Sequence, residues 1–137
     1  DLKAAGATEG WLSLYADSVS ECPLLLGSAT PKGRLVYTAA IKFKASSGAA
    51  ASFSNGVQTF PVAPDFAGRF AAAGGRLTTG TGTGFGANSA VATISVRGVP
   101  TYVAFWQNQS FEAVVYADNL SAVEATTAVS RMNARIH

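Results

Sequence analysis

Side chains that could do catalytic chemistry are few in this sequence. The single histidine is His137, and the single cysteine, Cys22, stands beside a proline. A cysteine–histidine pair needs a third group that orients the base, and none can be assigned here. The His, Cys and carboxylate residues do not cluster at the spacing of a metal site. We therefore expect no enzymatic activity, no metal ion and no cofactor.

A glycine-rich run, Gly80–Gly86, has the sequence GTGTGFG. Backbone N–H groups in such a run can cradle an anion. A phosphate-binding loop also needs a Gly-Lys-Ser/Thr end and a helix N-terminus that receives the phosphate. Neither follows here, because the next residues have the pattern of a strand. We interpret the run as a crossing between strands and expect no nucleotide binding.

The composition is that of one ordinary globular domain. The chain has 137 residues, 48% of them apolar, and its 10 basic and 8 acidic residues form no long run of either sign. Binding of nucleic acid or of a membrane by bulk charge is therefore not expected. No apolar run approaches the roughly 18 residues that span a bilayer. A lone cysteine favours a reducing compartment.

Two predicted helices at the ends of the chain would position the binding residues. Aromatic and aliphatic residues in Gly10–Val19 recur at i, i+3, i+4 and i+8, with a serine at i+7, so we predict a helix with two aromatic rings and two aliphatic groups on one face. A second amphipathic helix is predicted within Asn119–His137. The simplest compact arrangement lays both helices against one face of an antiparallel sheet. The residues of the two patterns are Trp11, Leu14, Tyr15, Ser18 and Val19, then Leu120, Val123, Val129, Met132 and Ile136.

Short runs typical of strands fill the region between the two helices. We predict strands at 23–27 and 35–40, the second continuing to 43. Residues 45–56, rich in Ala, Ser and Gly, are predicted to be an inserted loop, with a weakly ordered hairpin as the alternative. A short middle helix is predicted at 64–73. Four more strands are predicted at 76–82, 90–97, 101–106 and 111–116, and the fold class is α+β.

Five short motifs, in order along the chain, resemble those of profilin, a family of small actin-monomer-binding proteins. Gly10-Trp11 with 15–19 is similar to the family's opening pattern, and 35–40 to its second strand, with Tyr37 in place of a tryptophan. The family's helix entry, glycine turn and later strand start resemble 59–68, 81–88 and 99–102. The chain departs from the family at 45–56, which is extra, and at 88–100, which is too short for a further strand on the actin-facing side.

The resemblance implies one profilin-like domain over residues 1–137. Its central antiparallel sheet would carry the N- and C-terminal helices on one face and the shorter middle helix on the other. The implied protein is cytoplasmic and cytoskeletal, binds monomeric actin, and binds proline-rich segments such as those of formin-type elongation factors. Several basic positions of the family are replaced here, so phosphoinositide binding is expected to be weak. A monomer without a nucleic-acid partner is expected.

Two sets of site residues are carried over from the family. In profilins, aromatic residues form a shallow groove that suits an extended polyproline II ligand. The polyproline-binding set here is Trp11, Tyr15, Tyr37, Arg131 and His137. The actin-binding set is Arg69, Ser89, Val91, Thr93, Arg97, Asn119, Ala122, Val123, Glu124 and Thr127. The alternative for Trp11 and Tyr15 is plain core packing beneath the last helix.

A different class of function stays open, an exported or particle-surface β-rich interaction module without actin binding. The richness in Ala, Gly, Thr and Ser suggests it, as do the glycosylation acceptor triplets at Asn108 and Asn119. A signal peptide in the full gene would exclude the cytoplasmic location. A sandwich of two sheets would exclude the profilin-like fold.

Overall fold

The described part of the chain contains both strands and helices. The computed structural model describes residues 2–21, 31–59 and 66–137, so the strand predicted at 23–27 lies outside the described residues. The strands are β1 (Ala7–Ala16), β2 (Leu35–Phe43), β3 (Arg76–Thr79), β4 (Ser89–Val96), β5 (Val99–Asn108) and β6 (Phe111–Asp118). The helices are α1 (Ser46–Thr59), α2 (Phe66–Ala72) and α3 (Ala122–Asn133), with a 3₁₀ helix at Gly80–Thr83.

The six described strands form one antiparallel sheet in the order β1-β2-β6-β5-β4-β3. From β3 to β6 the sheet is a meander in which each strand pairs with the next. The β4–β5 turn places Arg97 and Gly98 at φ 52° and 83°. Two positive φ angles are what a two-residue hairpin needs to match the twist of its strands. The predicted α+β class with an antiparallel sheet is confirmed.

The helix predicted over Gly10–Val19 is wrong, because Ala7–Ala16 forms strand β1. Helical spacing and strand alternation overlap in this stretch, and Trp11 and Tyr15 share one face in either conformation. Pairing with β2 along the whole strand decides the outcome, since it bonds half of the backbone groups. Trp and Tyr also favour strands, while the glycine at position 10 weakens a helix. The N-terminal helix implied by the profilin resemblance is therefore not observed.

The loop predicted at 45–56 is also wrong, because Ser46–Thr59 forms helix α1. Alanine has the highest helix propensity of all residues. Ala49 and Phe53, one turn apart, are both buried against the sheet. Phe53 stacks on Phe105 of β5 with 4.9 Å between ring centroids. One well-placed aromatic side chain thus anchors a segment that otherwise has little bulky apolar surface.

Helices α1 and α3 cover opposite faces of the sheet. The face under α3 holds the main core, which includes Trp106 and Val115 from the strands and Val129 from the helix. The predicted C-terminal amphipathic helix is confirmed by α3. The prediction of two terminal helices on one face is wrong, because the N-terminal element belongs to the sheet itself. No helix among the described residues is long and apolar enough to span a bilayer.

Candidate functional site

Strand β1 lies at an edge of the sheet and exposes large apolar side chains. Trp11, Leu12 and Tyr15 keep 49%, 67% and 62% of their surface exposed. Because side chains alternate along a strand, Trp11 and Tyr15 point to the face that carries α3, and Leu12 points to the other. A group of exposed rings on one element is typical of a surface that contacts another molecule.

The face between β1 and α3 has an open cleft at the Tyr15 end of the strand and an aromatic contact at the Trp11 end. Trp11 stands at one end, with its ring centroid 6.1 Å from that of Phe111. Tyr15 stands at the other end, where it lines a cleft with Val36 of β2 and Leu120 just before α3. Four residues of strand separate the two aromatic positions by roughly 13 Å. We call this surface the β1–α3 groove and define it by Trp11, Tyr15, Val36, Phe111, Leu120 and Glu124.

The Tyr15 end of the groove is an open cleft of about 210 Å³ with charged walls. Arg34 Nη2 lies 3.0 Å from Asp17 Oδ1. Hydrogen bonds from Arg34 lower the pKa of the Asp17 carboxyl, and the same contact raises the pKa of Arg34. Hydrogen bonds from Ser121 lower the pKa of Glu124, which also lines the cleft. At neutral pH the cleft therefore carries two carboxylates and one guanidinium.

Helix α3, the wall of the groove, is fixed at both ends. At its start, the Ser121 N–H donates to Glu124 Oε2 over 2.9 Å, and the Glu124 N–H donates to Ser121 Oγ over 3.3 Å. This reciprocal pair is a capping box, which satisfies backbone N–H groups that the first turn leaves without partners. At its end, Trp106 Nε1 donates to Asn133 Oδ1 over 2.8 Å. The groove is therefore formed before any ligand arrives, as is usual for binding sites.

A second open cleft, of about 270 Å³, lies on the other flank of α3. Its lining includes Arg76 of β3, Thr93 of β4 and Tyr102 of β5. Burial raises the pKa of the Tyr102 hydroxyl, so that group stays protonated at neutral pH. The lining has no exposed aromatic ring, which makes this cleft the weaker candidate. Within residues 2–21, 31–59 and 66–137, no group of three His, Cys, Asp or Glu residues could hold a metal ion.

The structure brings together two of the five residues predicted for polyproline binding. Trp11 and Tyr15 share the β1–α3 groove, and their exposure shows that the alternative of plain core packing is wrong. Tyr37 of β2 lies in register with Leu14, so it points to the opposite face of the sheet. Arg131, in the last turn of α3, and His137 are exposed. A groove between two helices is not observed, because β1 replaces the first helix.

The residues predicted for actin binding are spread over several structural settings. Ser89 is buried and donates to a backbone carbonyl of the glycine-rich run, and Val91 packs against the core. Asn119 donates to the carbonyls of Pro31 and Gly33. Arg69 lies in α2, and its side chain is outside the described residues. Thr93 is half-buried, while the exposed members are Arg97 in the β4–β5 turn and Ala122, Val123, Glu124 and Thr127 in α3. Actin binding by this set stays a prediction.

Sequence reasoning missed Arg34, Val36 and Leu120, which line the cleft at the Tyr15 end of the groove. Arg34 meets Asp17 only because β1 and β2 pair, and the two residues are far apart in the chain. The alternation of Trp11, Ser13 and Tyr15 with leucines was the available signal for a strand, and hence for a groove beside it.

Comparisons with known proteins bear on the fold rather than on the groove. No protein-family model and no curated protein matches the chain. Among solved structures, the chain is similar to the extracellular domain of PknH from Mycobacterium tuberculosis, with a TM-score of 0.50 and 10% identity. The match covers 98% of this chain and 88% of that chain. At this identity the likeness shows a shared fold.

The predicted cytoplasmic and cytoskeletal location is wrong by this comparison, because the similar structure is an extracellular domain. That location came with the profilin resemblance, and a lone cysteine was weak support for it. Membership of the profilin family itself stays a prediction. What the chain shares along nearly its whole length is the fold of an extracellular domain.

Proposed function

We propose that this chain is an exported interaction module that binds a proline-rich segment of a partner protein in the β1–α3 groove. The observation that carries the proposal is the pair of exposed rings, Trp11 and Tyr15, on one face of an edge strand beside a helix. The likeness to an extracellular domain supports the exported setting. This proposal keeps the polyproline chemistry of the two residues without the cytoplasmic setting.

The spacing of the rings suits an extended ligand. A polyproline II segment rises about 3.1 Å per residue, so about four residues cover the roughly 13 Å between the positions of Trp11 and Tyr15. Flat rings give apolar contact, and the Trp N–H and Tyr O–H can donate to the ligand's backbone carbonyls, which have no partner within the ligand. Because such a segment is already extended, it loses little conformational entropy on binding.

The charge of the cleft favours a basic residue in the ligand. Asp17 and Glu124 contribute two carboxylates against the single guanidinium of Arg34. A Lys or Arg next to the proline run would complement this excess of negative charge. Such complementarity mainly raises the association rate and the specificity, and salt weakens it.

An oligoproline peptide of about ten residues with one terminal lysine is the probe. Trp106 is fully buried, so a change in emission on titration reports Trp11. We expect Trp11→Ala and Tyr15→Ala each to weaken binding, measured by calorimetry, about tenfold. Leu77→Ala is the control, because Leu77 is an exposed apolar residue on the far edge strand. Unchanged affinity in both aromatic variants, or no binding at about 1 mM peptide, would refute the proposal.

Binding of monomeric actin is a separate prediction that follows from the profilin resemblance. Titration of labelled actin monomers tests it directly. Saturable binding would support it, and no binding at roughly tens of micromolar would remove it. The groove proposal does not depend on the result.

A further inference from the structure

β1 is an edge strand, and within residues 2–21, 31–59 and 66–137 no strand pairs with its outer side. The Asp17 N–H donates to the carbonyl of Arg34, its register partner just beyond the end of β1, so the Asp17–Arg34 position falls at a hydrogen-bonded pair in the alternation of the ladder. The Arg34 N–H donates to the Asp17 carboxylate. Such pairs alternate along an antiparallel ladder, so the odd-numbered residues of β1 bond β2. The N–H and C=O groups of the even-numbered residues therefore point away from the sheet. These residues are Gly10, Leu12, Leu14 and Ala16.

The two edges of the sheet differ in how they are protected. β3 has only four residues and leads directly into the 3₁₀ helix at Gly80–Thr83. β1 has ten residues, and Gly10–Ala16 contains no charge and no proline. Natural edge strands are usually kept short, charged or interrupted, because an open edge is a template for another strand. The exposure of Leu12 and Tyr15 confirms that the side chains of this edge are accessible.

We infer that β1 pairs antiparallel with β1 of a second copy of this chain, across a two-fold axis at Ser13. Outward backbone groups of the two copies then bond each other, and the two sheets become one continuous sheet. The inference goes beyond the proposed function, because the backbone groups at the outer edge of β1 form the contact. The rings of Trp11 and Tyr15, which belong to the groove, would also meet across the axis. The axis is perpendicular to the sheet, so both grooves open on the same face.

The side chains of β1 are self-complementary in this register. With the axis at Ser13, Trp11 of one copy faces Tyr15 of the other, and Leu12 faces Leu14, so each contact forms twice. The ring pairs fall at non-hydrogen-bonded positions, where Cα atoms lie about 4.5 Å apart and side chains are closest. An axis at Leu12 would instead place Tyr15 opposite Glu9 and lose both ring pairs. The aromatic residues thus select one register and favour a second copy as the partner.

The charges at the ends of the strand tolerate this pairing. Glu9 of one copy comes opposite Asp17 of the other. Each carboxylate has a cation on its own β2, since Lys42 is the register partner of Glu9 and Arg34 forms an ion pair with Asp17. The attraction of each carboxylate to its neighbouring cation therefore offsets the repulsion between Glu9 and Asp17 across the axis.

Sedimentation equilibrium from about 10 µM to 1 mM tests the inference. We expect the mass of the wild-type chain to rise from monomer to dimer. Leu12→Pro removes an outward N–H that no strand of the described residues uses, so pairing with β2 is kept and dimerisation should weaken at least about tenfold. Leu12→Ala keeps the N–H and should lose much less. A wild-type monomer throughout, or undiminished dimerisation of Leu12→Pro, would overturn the inference.

Disulfide trapping gives a second test that does not depend on the folding of the proline variant. In a Cys22→Ser background, Ser13→Cys would place two thiols across the axis, at a Cα separation that a disulfide accepts. Ser95→Cys is the control, because Ser95 is an exposed serine on the same face but on β4. Cross-linking of Ser13→Cys well above that of Ser95→Cys is expected, and equal rates would overturn the inference. Peptide binding by a monomeric variant would leave the proposed function intact.

Discussion

Helices α1 and α3 cover opposite faces of the same sheet, but different kinds of contact hold them. α3 begins with a capping box, ends in a hydrogen bond from Trp106 to Asn133, and buries Ala125 and Val129 completely. α1 has no acidic residue in its first turn. The residue before α1 is Ala45, whose carbonyl accepts from the Ala49 N–H and whose side chain offers no acceptor for a cap.

The sheet beneath the two helices differs as well. α1 rests on Glu112, a buried carboxyl whose Oε2 has no hydrogen-bond partner within the described residues. Under α3 the corresponding surface is apolar, with Val115 and Trp106 fully buried. The comparison teaches that α3 is specified by local signals together with its packing, whereas α1 lacks such local signals and depends on its tertiary contacts with the sheet. The groove wall therefore lies on the better-defined helix.

The largest effect that would sharpen this contrast is expected from Phe53→Ala. Phe53 is 7% exposed and supplies the ring that stacks on Phe105. Its removal leaves a cavity between α1 and the sheet, where the other buried side chain of the described part of α1 is the small Ala49, so we expect a loss of about 3 kcal/mol in the free energy of unfolding. Denaturant titration measures it, and hydrogen exchange should speed up most in α1.

Ser54→Ala is the matched control, since Ser54 is an exposed residue of the same helix. It should leave the free energy of unfolding within about 0.5 kcal/mol of wild type. A loss below about 1 kcal/mol for Phe53→Ala would mean that other contacts hold α1, and the contrast between the two helices would be wrong.

A smaller effect, and one with a pH signature, is expected from Glu112→Gln. Burial raises the pKa of the Glu112 carboxyl, against a smaller opposing effect of its hydrogen bond to Ser52. Because the folded pKa is above the unfolded one, protonated Glu112 stabilises the fold at low pH, and this contribution is lost as pH rises through the folded pKa. Replacing the carboxyl by a neutral amide should therefore stabilise the protein above that pKa, by about 1 kcal/mol.

The pH dependence itself is the measurement that isolates Glu112. Asp17 and Glu124 have lowered pKa values, so their contributions are lost as pH falls, and both remain in the variant. The difference in unfolding free energy between variant and wild type should grow from acid to neutral pH. A difference that does not change with pH would place the Glu112 carboxyl in a solvated setting.

Much of the fold was predictable, and the exceptions have identifiable causes. The β5–β6 hairpin was found because alternation is strong on both sides of the polar loop at 107–110, and α3 because its apolar residues keep a helical period. α1 was missed because its packing depends on one large side chain, Phe53, and a single apolar residue does not form a periodic pattern. β1 was misassigned because its few apolar residues fit both a helical period and the alternation of a strand. Pairing with β2 determines that the segment is a strand.

The candidate site was predictable only in part. Trp11 and Tyr15 could be selected as aromatic residues with a common face, whatever the secondary structure. Tyr37 could not be excluded, because its face depends on the register of β2 with its neighbours. The Arg34–Asp17 pair depends on the same long-range register. The local sequence pattern thus identifies the two aromatic residues. Their neighbours in the site can be identified only once the register of the strands is known.

The smallest effects are expected at the first turns of the two helices. There a side-chain cap like that of α3 can be added to α1. Ser121→Ala removes the cap of α3 and should cost about 1 kcal/mol, whereas Ala45→Ser adds a cap to α1 and should gain about 0.5 kcal/mol. The two changes should also differ in pH dependence. The Ser121 cap includes the Glu124 carboxylate, whose lowered pKa makes its contribution present at neutral pH and lost as pH falls through the folded pKa. Chemical denaturation at about pH 3 and pH 7 should therefore show a smaller cost for Ser121→Ala in acid and an unchanged gain for Ala45→Ser.

If Ala45→Ser had no effect at either pH, the backbone N–H groups in the first turn of α1 would already have other hydrogen-bond partners. The difference between the two helices would then lie in their packing alone.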